Sequence, residues 1–347
     1  MSQTPVMLVG SVPLSQAEAV FSQSARYLGA RLKRFPDGET GPRRNWIAWQ
    51  ASVFAYLTTL EQTSAKERDY QLHPPFKLRD GYRPADIRFP PLGFAREAKA
   101  SFGVFRRLKA EGVIPPAARF LVAVPTPWAP IYSFIAYDHQ RAIEPVYEHA
   151  LLAELADILA TIPHAELAVQ WDVATEMSWW EGVYPSPFPG PGAETQREVV
   201  DELVRLASAV PDDVELGIHL CYGSMNNRHW KEPADAGNLV AVANGFFVKA
   251  PRRLDYLHLP VPRARHDDAY FRPLDELRRP AECELYLGLL HLEDGVDGAK
   301  RRIDAARKHV DAFGLACECG LGRVPGDTMP QWLALHEAAA SAVDADG

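Results

Sequence analysis

Eight short apolar segments recur along the 347-residue chain, and stretches with helical spacing separate them. The segments are rich in Val, Ile, Leu and aromatic residues, and most end in Gly, Pro or Asp, as buried parallel strands do. They cover residues 6–12, 32–39, 119–127, 166–174, 214–223, 254–261, 284–293 and 315–322. Eight strands that alternate with helices predict an α/β fold, a (β/α)8 barrel, whose active site lies at the C-terminal ends of the strands.

The spacing of the segments also predicts the domain organisation. Residues 1–347 fit a single catalytic barrel, a size that α/β barrels commonly reach in one domain. Residues 60–118 are too many for one connection, so we expect a helical excursion after the second strand. An open, doubly wound sheet also fits the alternation. No GxGxxG motif follows the first segment, which disfavours a dinucleotide-binding fold.

Charge and hydropathy exclude several classes of partner. The net charge of −8 argues against a nucleic-acid-binding surface, which needs clustered positive charge. No stretch approaches the roughly 20 apolar residues of a membrane span. The N-terminus lacks the pattern of a signal peptide. We therefore expect a soluble, cytoplasmic protein without a membrane or nucleic-acid partner. In a reducing compartment, its four cysteines favour metal binding or simple burial over disulfides.

Polar side chains collect where the predicted strands end. Parallel strands of one barrel end at the same mouth, so we expect these side chains to face a common space. They are Ser11, Asp37, Glu39, Asp172, Glu176, His219, Cys221, His258, His291, Glu293, Cys317 and Cys319.

The segment "GIHLCYGSMNN", residues 217–227, places His219 and Cys221 two positions apart, on the same side of a strand. The last segment contains "CEC", in which Cys319 lies nearer the mouth than Cys317. Each pattern alone is weak, because a free cysteine is often only a small buried apolar residue. Together the His, Cys and Cys donors match the preference of zinc. Cys283 begins its strand at the opposite end and is predicted to be structural, as is Cys317.

The acidic and aromatic residues at the mouth have two interpretations each. "PDGETG" fits a simple turn, and Asp172 can cap the loop after its strand. We favour substrate binding, because an acid in a barrel mouth commonly binds or orients a ligand. The aromatic loops, with Trp128 and Trp179, are predicted to cover a substrate and exclude water, although they can equally cap the core.

Several of these motifs resemble the catalytic barrel of cobalamin-independent methionine synthase, within the superfamily that includes uroporphyrinogen decarboxylase. "HLCY" is similar to the family's H-x-C-Y segment and "CGLGR" to its C-G-L segment. "LVGSVP" is similar to I-G-S-F-P, "DGETG" to H-G-E-P and "VQWDVA" to I-Q-I-D-E-P. The motifs occur in the family's order along essentially the whole chain.

The resemblance implies a catalytic zinc ion held by His219, Cys221 and Cys319. The family's fourth ligand is a glutamate at the end of the sixth strand, where this sequence offers His258. The candidates for the fourth ligand are therefore His258, a different acidic residue such as Glu318, or a water molecule.

The resemblance also implies substrate contacts. Ser11, Glu39 and Asp172 match the residues that hold the amino-acid thiol in the family. The family's proton-handling histidine falls near Glu293, and His291 lies two residues earlier, so both are candidates for this catalytic role.

The chain departs from the family in having one barrel instead of two and "WDVA" instead of I-D-E-P, so homocysteine and methyl-folate need not be its substrates. The first hypothesis is a zinc-dependent methyl- or alkyltransferase that activates a small thiol as a zinc-bound thiolate and takes the alkyl group from a second small molecule. The alternatives are a metal-independent decarboxylase or lyase like uroporphyrinogen decarboxylase, and a non-catalytic barrel that binds zinc or a small molecule.

Overall fold

A computed structural model describes residues 3–68, 71–188, 192–223 and 228–346. The strands in these ranges are β1 (Val6–Met7), β2 (Arg34–Pro36), β3 (Leu60–Gln62), β4 (Phe76–Leu78), β5 (Arg119–Pro125), β6 (Leu167–Val173), β7 (Glu215–Leu220), β8 (Tyr256–Pro260), β9 (Glu284–Leu290) and β10 (Gly314–Cys317). All but β3 and β4 fall on the eight predicted segments.

The α-helices between and around these strands include the long α5 on the outside of the sheet. None of those in the described ranges is long and apolar enough to cross a membrane. They are α1 (Ala17–Leu28), α2 (Ala51–Tyr56), α3 (Phe94–Ala110), α4 (Trp128–Phe134), α5 (Tyr137–Thr161), α6 (Thr175–Trp180), α7 (Gly192–Ser208), α8 (Gly237–Lys249), α9 (Asp268–Phe271), α10 (Gly295–Ala306) and α11 (Met329–Asp346).

Eight parallel strands form one sheet in the order β1-β10-β9-β8-β7-β6-β5-β2. Isolated parallel bridges from Val6 to Leu32 and from Ser11 to Gly38 join the two outer strands, so the sheet curves into a ring. The predicted (β/α)8 barrel is therefore confirmed. The long connection after β2 is also present, but it combines the antiparallel hairpin β3–β4 with the helix α3, so it is not purely helical.

Burial on both faces explains why the strands read as continuous apolar runs. All seven residues of β6 are buried, because one face points into the barrel and the other packs on the helices. The helices are amphipathic instead. In α7, Val199, Leu203 and Leu206 are buried at helical spacing against the sheet.

The N-terminal end of the barrel is closed by Arg34. Its guanidinium donates to Glu215 at 2.6 Å and to Glu284 at 2.8 Å, and it lies 4.2 Å from the centre of the Tyr256 ring. These contacts offset the cost of burying the charge. They tie β2, β7, β8 and β9 together at the N-terminal end of the barrel, opposite the mouth.

Candidate metal centre

Three sulfur and nitrogen donors meet at the mouth of the barrel. The Sγ atoms of Cys221 and Cys319 are 3.4 Å apart, and Nε2 of His219 is 3.8 Å from Sγ of Cys319. All three donor atoms lie within 4.8 Å of one another. Tetrahedral zinc, with bonds of about 2.3 Å to sulfur and about 2.0 Å to nitrogen, sets its donors roughly 3.5–3.8 Å apart. The cluster therefore fits a zinc ion with small side-chain movements.

His258, the expected fourth ligand, lies behind His219. Its Nε2 is 3.0 Å from the carbonyl oxygen of Cys317, and a carbonyl can only accept, so Nε2 carries the proton. Its Nδ1, 2.7 Å from Nδ1 of His219, must then accept a hydrogen bond from that ring. In its neutral form, His219 therefore carries its proton on Nδ1 and directs an unprotonated Nε2 at the cysteines. Since both nitrogens of His258 are engaged, the geometry places it as a support for His219 instead of a fourth donor.

The ends of β7 and β10 explain how the cysteines come together. The backbone N–H of Cys221 bonds to the carbonyl of Val173 at 3.0 Å, which extends β7 by one residue. At the other strand, a Cβ on Gly320 would lie 2.3 Å from Oγ of Ser11, so only glycine lets β10 end against the first strand. Residues 224–227, the end of the segment that first indicated the site, lie outside the described residues.

Cys319 and burial stabilise the protonated form of Cys221. The hydrogen bond between the two thiols, together with burial, raises the pKa of Cys221 well above its usual value. A metal ion that binds here must displace the proton of Cys221, so its affinity will depend on pH. Cys317 does not share the cluster: its thiol donates to the carbonyl of Cys319 at 3.0 Å.

A cavity of about 110 Å³ opens beside the cluster, and Ser11, Glu39 and Asp172 line it together with the three donors. The structure therefore brings the predicted thiol-binding residues and the predicted metal ligands to one space. Burial and the neighbouring Asp172 raise the pKa of Glu39 to about 8. Burial also raises the pKa of Asp172 to about 6. Both acids therefore hold a proton more tightly than an exposed carboxyl group does, and Glu39 holds it more tightly than Asp172.

The turn that carries Glu39 is built by Asp37. The Asp37 carboxylate accepts the backbone N–H of Glu39 at 2.8 Å and pairs with Arg43 at 2.8 Å. Glu39 itself has a φ of 49°, a left-handed conformation that costs free energy outside glycine. Asp37 is therefore a positioning residue, and the strained backbone is held for the Glu39 side chain.

His291 and Glu293 face a different cavity, of about 680 Å³, which Cys221 and Cys319 also line. The Nε2 of His291 donates to the carbonyl of Val261 at 2.9 Å. Glu293 is exposed and 3.9 Å from Arg263. The candidates for proton handling thus lie across the cysteines from Ser11, Glu39 and Asp172.

Glu318, the alternative fourth ligand, also lines this second cavity. One of its carboxylate oxygens is 3.0 Å from Nε2 of His229, and the other is 4.0 Å from Nδ1 of His291. It belongs to this acid–histidine group and lies outside the group of donor atoms that approach one another within 4.8 Å.

The two predicted aromatic contacts lie behind the first cavity. Trp128 and Trp179 are buried and pack edge to face at 5.3 Å, and neither is among the described residues that line the cavity. A direct contact of either ring with substrate is not favoured by this geometry. Of the aromatic residues that do line the cavity, Trp46 hydrogen bonds to Asp172.

The place of Trp46 at the cavity is not predictable from sequence, because it depends on an unusual backbone conformation. Its φ of 50° and ψ of −116° break the 3-10 helical segment Gly41–Gln50 and turn the indole. No residue pattern indicates such a conformation for tryptophan.

No protein-family model matches the sequence, and no match among curated proteins is significant. Solved structures do match over nearly the whole chain. A B12-independent methionine synthase from Shewanella sp. W3-18-1, in complex with selenomethionine, is 15% identical with a TM-score of 0.66 and 99% of both chains covered. A methyltransferase from Methanosarcina mazei is 11% identical with a TM-score of 0.58, covering 99% of this chain and 95% of its own. The resemblance noted in the sequence is thus confirmed as a shared fold along the chain.

Proposed function

We propose that this protein is a zinc-dependent methyl- or alkyltransferase that acts on a small thiol. The observation that carries the proposal is the cluster of His219, Cys221 and Cys319, with donor atoms within 4.8 Å at the mouth of a methyltransferase-like barrel. The hydrogen bond from His219 to His258 supports it further, because it leaves the ligating nitrogen unprotonated.

The number of donors favours catalysis over a structural metal. Structural zinc sites are closed by four protein ligands, whereas catalytic sites keep one position open. Here three donors converge, and His258 is held behind them by bonds to both ring nitrogens. The fourth position is left for the substrate thiol, which disfavours the hypothesis of a non-catalytic zinc protein.

Zinc at this site would lower the pKa of a substrate thiol and supply the thiolate nucleophile near neutral pH. His219, Cys221 and Cys319 would hold the ion. Asp172, ionised at neutral pH, would accept a hydrogen bond from the substrate or pair with an ammonium group, and Ser11 would donate its hydroxyl to a carboxylate. We propose His291 and Glu293 as the groups that handle a proton on the side of the second cavity.

Metal analysis of protein purified without chelator or metal-affinity tag tests the first half of the proposal. We expect about one zinc per chain, lost in Cys221→Ser and in Cys319→Ser while far-UV circular dichroism stays unchanged. Cys283→Ser makes the same change at a buried cysteine of the opposite barrel end and should retain the metal. Absence of zinc after reconstitution would overturn the proposal and favour a metal-independent decarboxylase or lyase.

Thiol binding tests the second half. In protein loaded with Co²⁺, 2-mercaptoethanol should increase the sulfur-to-cobalt charge-transfer absorption, because the thiol enters the open position. A spectrum that does not respond to any thiol would indicate a closed site and contradict the transferase.

A further inference from the structure

Arg68, in the connection between β3 and β4, lines the same cavity as the three metal-ligand candidates. Its guanidinium lies 3.6 Å from the centre of the Tyr132 ring and donates to the carbonyl of Tyr132. These contacts hold the guanidinium in place at the wall. They leave further N–H groups of its five for another acceptor.

Among the described residues, no carboxylate forms an ion pair with Arg68 within 4.0 Å, and Glu67 acts on its charge from farther away. The neighbouring Glu67 faces the N-terminus of α5 instead, where its carboxylate accepts the backbone N–H of Tyr137 at 3.1 Å. Burial lowers the pKa of Arg68, which shows that the cation is poorly solvated. An anion beside it would be strongly favoured.

Gln71 supplies a second donor at the same wall. Its side chain is 2% exposed, and its Oε1 accepts the backbone N–H of Glu67 at 2.9 Å, which fixes the orientation of the amide. The Nε2 group then carries two N–H donors, and no described residue accepts from them. A buried donor without a partner is costly, so this amide is suited to a ligand that supplies the acceptor.

We propose that Arg68 and Gln71 form a subsite for a carboxylate group of one reactant. A carboxylate offers two acceptor oxygens, and the guanidinium and the amide at this cavity both supply donors. This carboxylate group belongs either to the thiol that accepts the alkyl group or to the molecule that donates the alkyl group. The inference rests on the proposed function only in taking this cavity as the one that admits the reactants.

Matched probes separate the two sources of the carboxylate. For the acceptor, the affinity of metal-loaded protein for 3-mercaptopropionate is compared with that for 3-mercapto-1-propanol. For the donor, protein saturated with 2-mercaptoethanol is titrated with benzoate and with benzamide. Calorimetry, or the fluorescence of Trp46 and Trp230 at the cavity, reports binding in both arms.

Two variants and one control complete the design. Arg68→Gln removes the charge, and Gln71→Glu keeps the acceptor for Glu67 but places a carboxylate beside Arg68. Each should weaken binding of the anionic probe about tenfold or more and leave the neutral probe unchanged. Arg83→Gln, an exposed arginine of the same excursion, should change neither.

The outcomes distinguish this proposal from the proposed function. A selective loss of affinity for 3-mercaptopropionate assigns the carboxylate to the acceptor. A selective loss of affinity for benzoate assigns it to the donor. If both variants bind both acids as the wild type does, the subsite is overturned. If metal-free protein binds benzoate and Arg68→Gln weakens this binding, the subsite is supported even if the protein proves not to bind zinc.

Discussion

Gly217 lies directly against the ring of Tyr256 inside the barrel, where a Cβ on the glycine would come within 1.9 Å of Cζ. The Tyr256 side chain also begins a series of hydrogen bonds that reaches the cavity. The Tyr256 hydroxyl donates to Oε1 of Gln170 at 3.3 Å, and Nε2 of Gln170 donates to Asp172 at 2.8 Å. A glycine in β7 is thus linked, through Tyr256 and Gln170, to an acid at the mouth.

Gly217→Ala should destabilise the protein by about 2 kcal/mol or more, because the buried ring has no free space to move into. Urea denaturation measures the change. Gly103→Ala is the matched control, since this exposed glycine within α3 has open space around its Cβ position. It should stabilise the helix by about 0.5–1 kcal/mol. Equal effects of the two substitutions would contradict the packing described here.

His258→Phe should weaken zinc binding by about 10- to 100-fold without abolishing it, because His219 loses the acceptor that orients its ring. Competition with a chelator of known affinity measures the constant. His258→Asn, whose side-chain oxygen can accept the same hydrogen bond, should recover part of the loss. A complete loss in His258→Phe, equal to that in Cys221→Ser, would instead identify His258 as a ligand.

Removal of the metal should expose the pair Cys221–Cys319 to oxidation. Their sulfurs are 3.4 Å apart, and with oxidised glutathione as the oxidant one intramolecular disulfide should form as two glutathione thiols are released. The count of free thiols in denaturant would fall from four to two. Zinc-loaded protein should keep all four. Oxidation at the same rate with and without zinc would argue against metal binding by these sulfurs.

Stability should fall as the pH rises from about 5 to 8, because of a buried acidic cluster beside α6. Burial raises the pKa of Glu176 to about 7 and that of Glu144 to about 8, and it raises the pKa of Glu202 strongly. Glu148 and Arg205 are the other charged groups that act on this cluster. Above the ordinary pKa of glutamate, the unfolded chain releases protons that the folded protein still holds. The free energy of unfolding therefore decreases across this range.

Glu202→Gln tests this assignment, because the amide mimics the protonated acid whose two oxygens have no hydrogen-bond partner in the described structure. The variant should be more stable than the wild type at pH 8, by about 1–2 kcal/mol, with little difference at pH 5. Urea denaturation at both values provides the comparison. Glu198→Gln, at an exposed position of the same helix, should leave the pH dependence as it is.

The barrel was predictable from sequence because its strands are buried on both faces and each produces a continuous apolar run. The same regularity predicted the cluster: residues that end parallel strands meet at one mouth, so His219, Cys221 and Cys319 could be placed together. Depth along the last strand also separated Cys319 from Cys317, although the two share the same face.

The rest of the site depends on contacts that no local pattern encodes. Arg68 and Gln71 enter the cavity from the excursion, whose path is set by packing against distant helices. Trp46 depends on a backbone conformation that is rare for its residue type. The position of His258 behind His219 follows from the register of β7 against β8, in which the two histidines are direct partners.

The two cysteines of the cluster line both of the cavities described at the mouth. A molecule in one cavity and a molecule in the other therefore meet at the same pair of sulfur atoms from different sides.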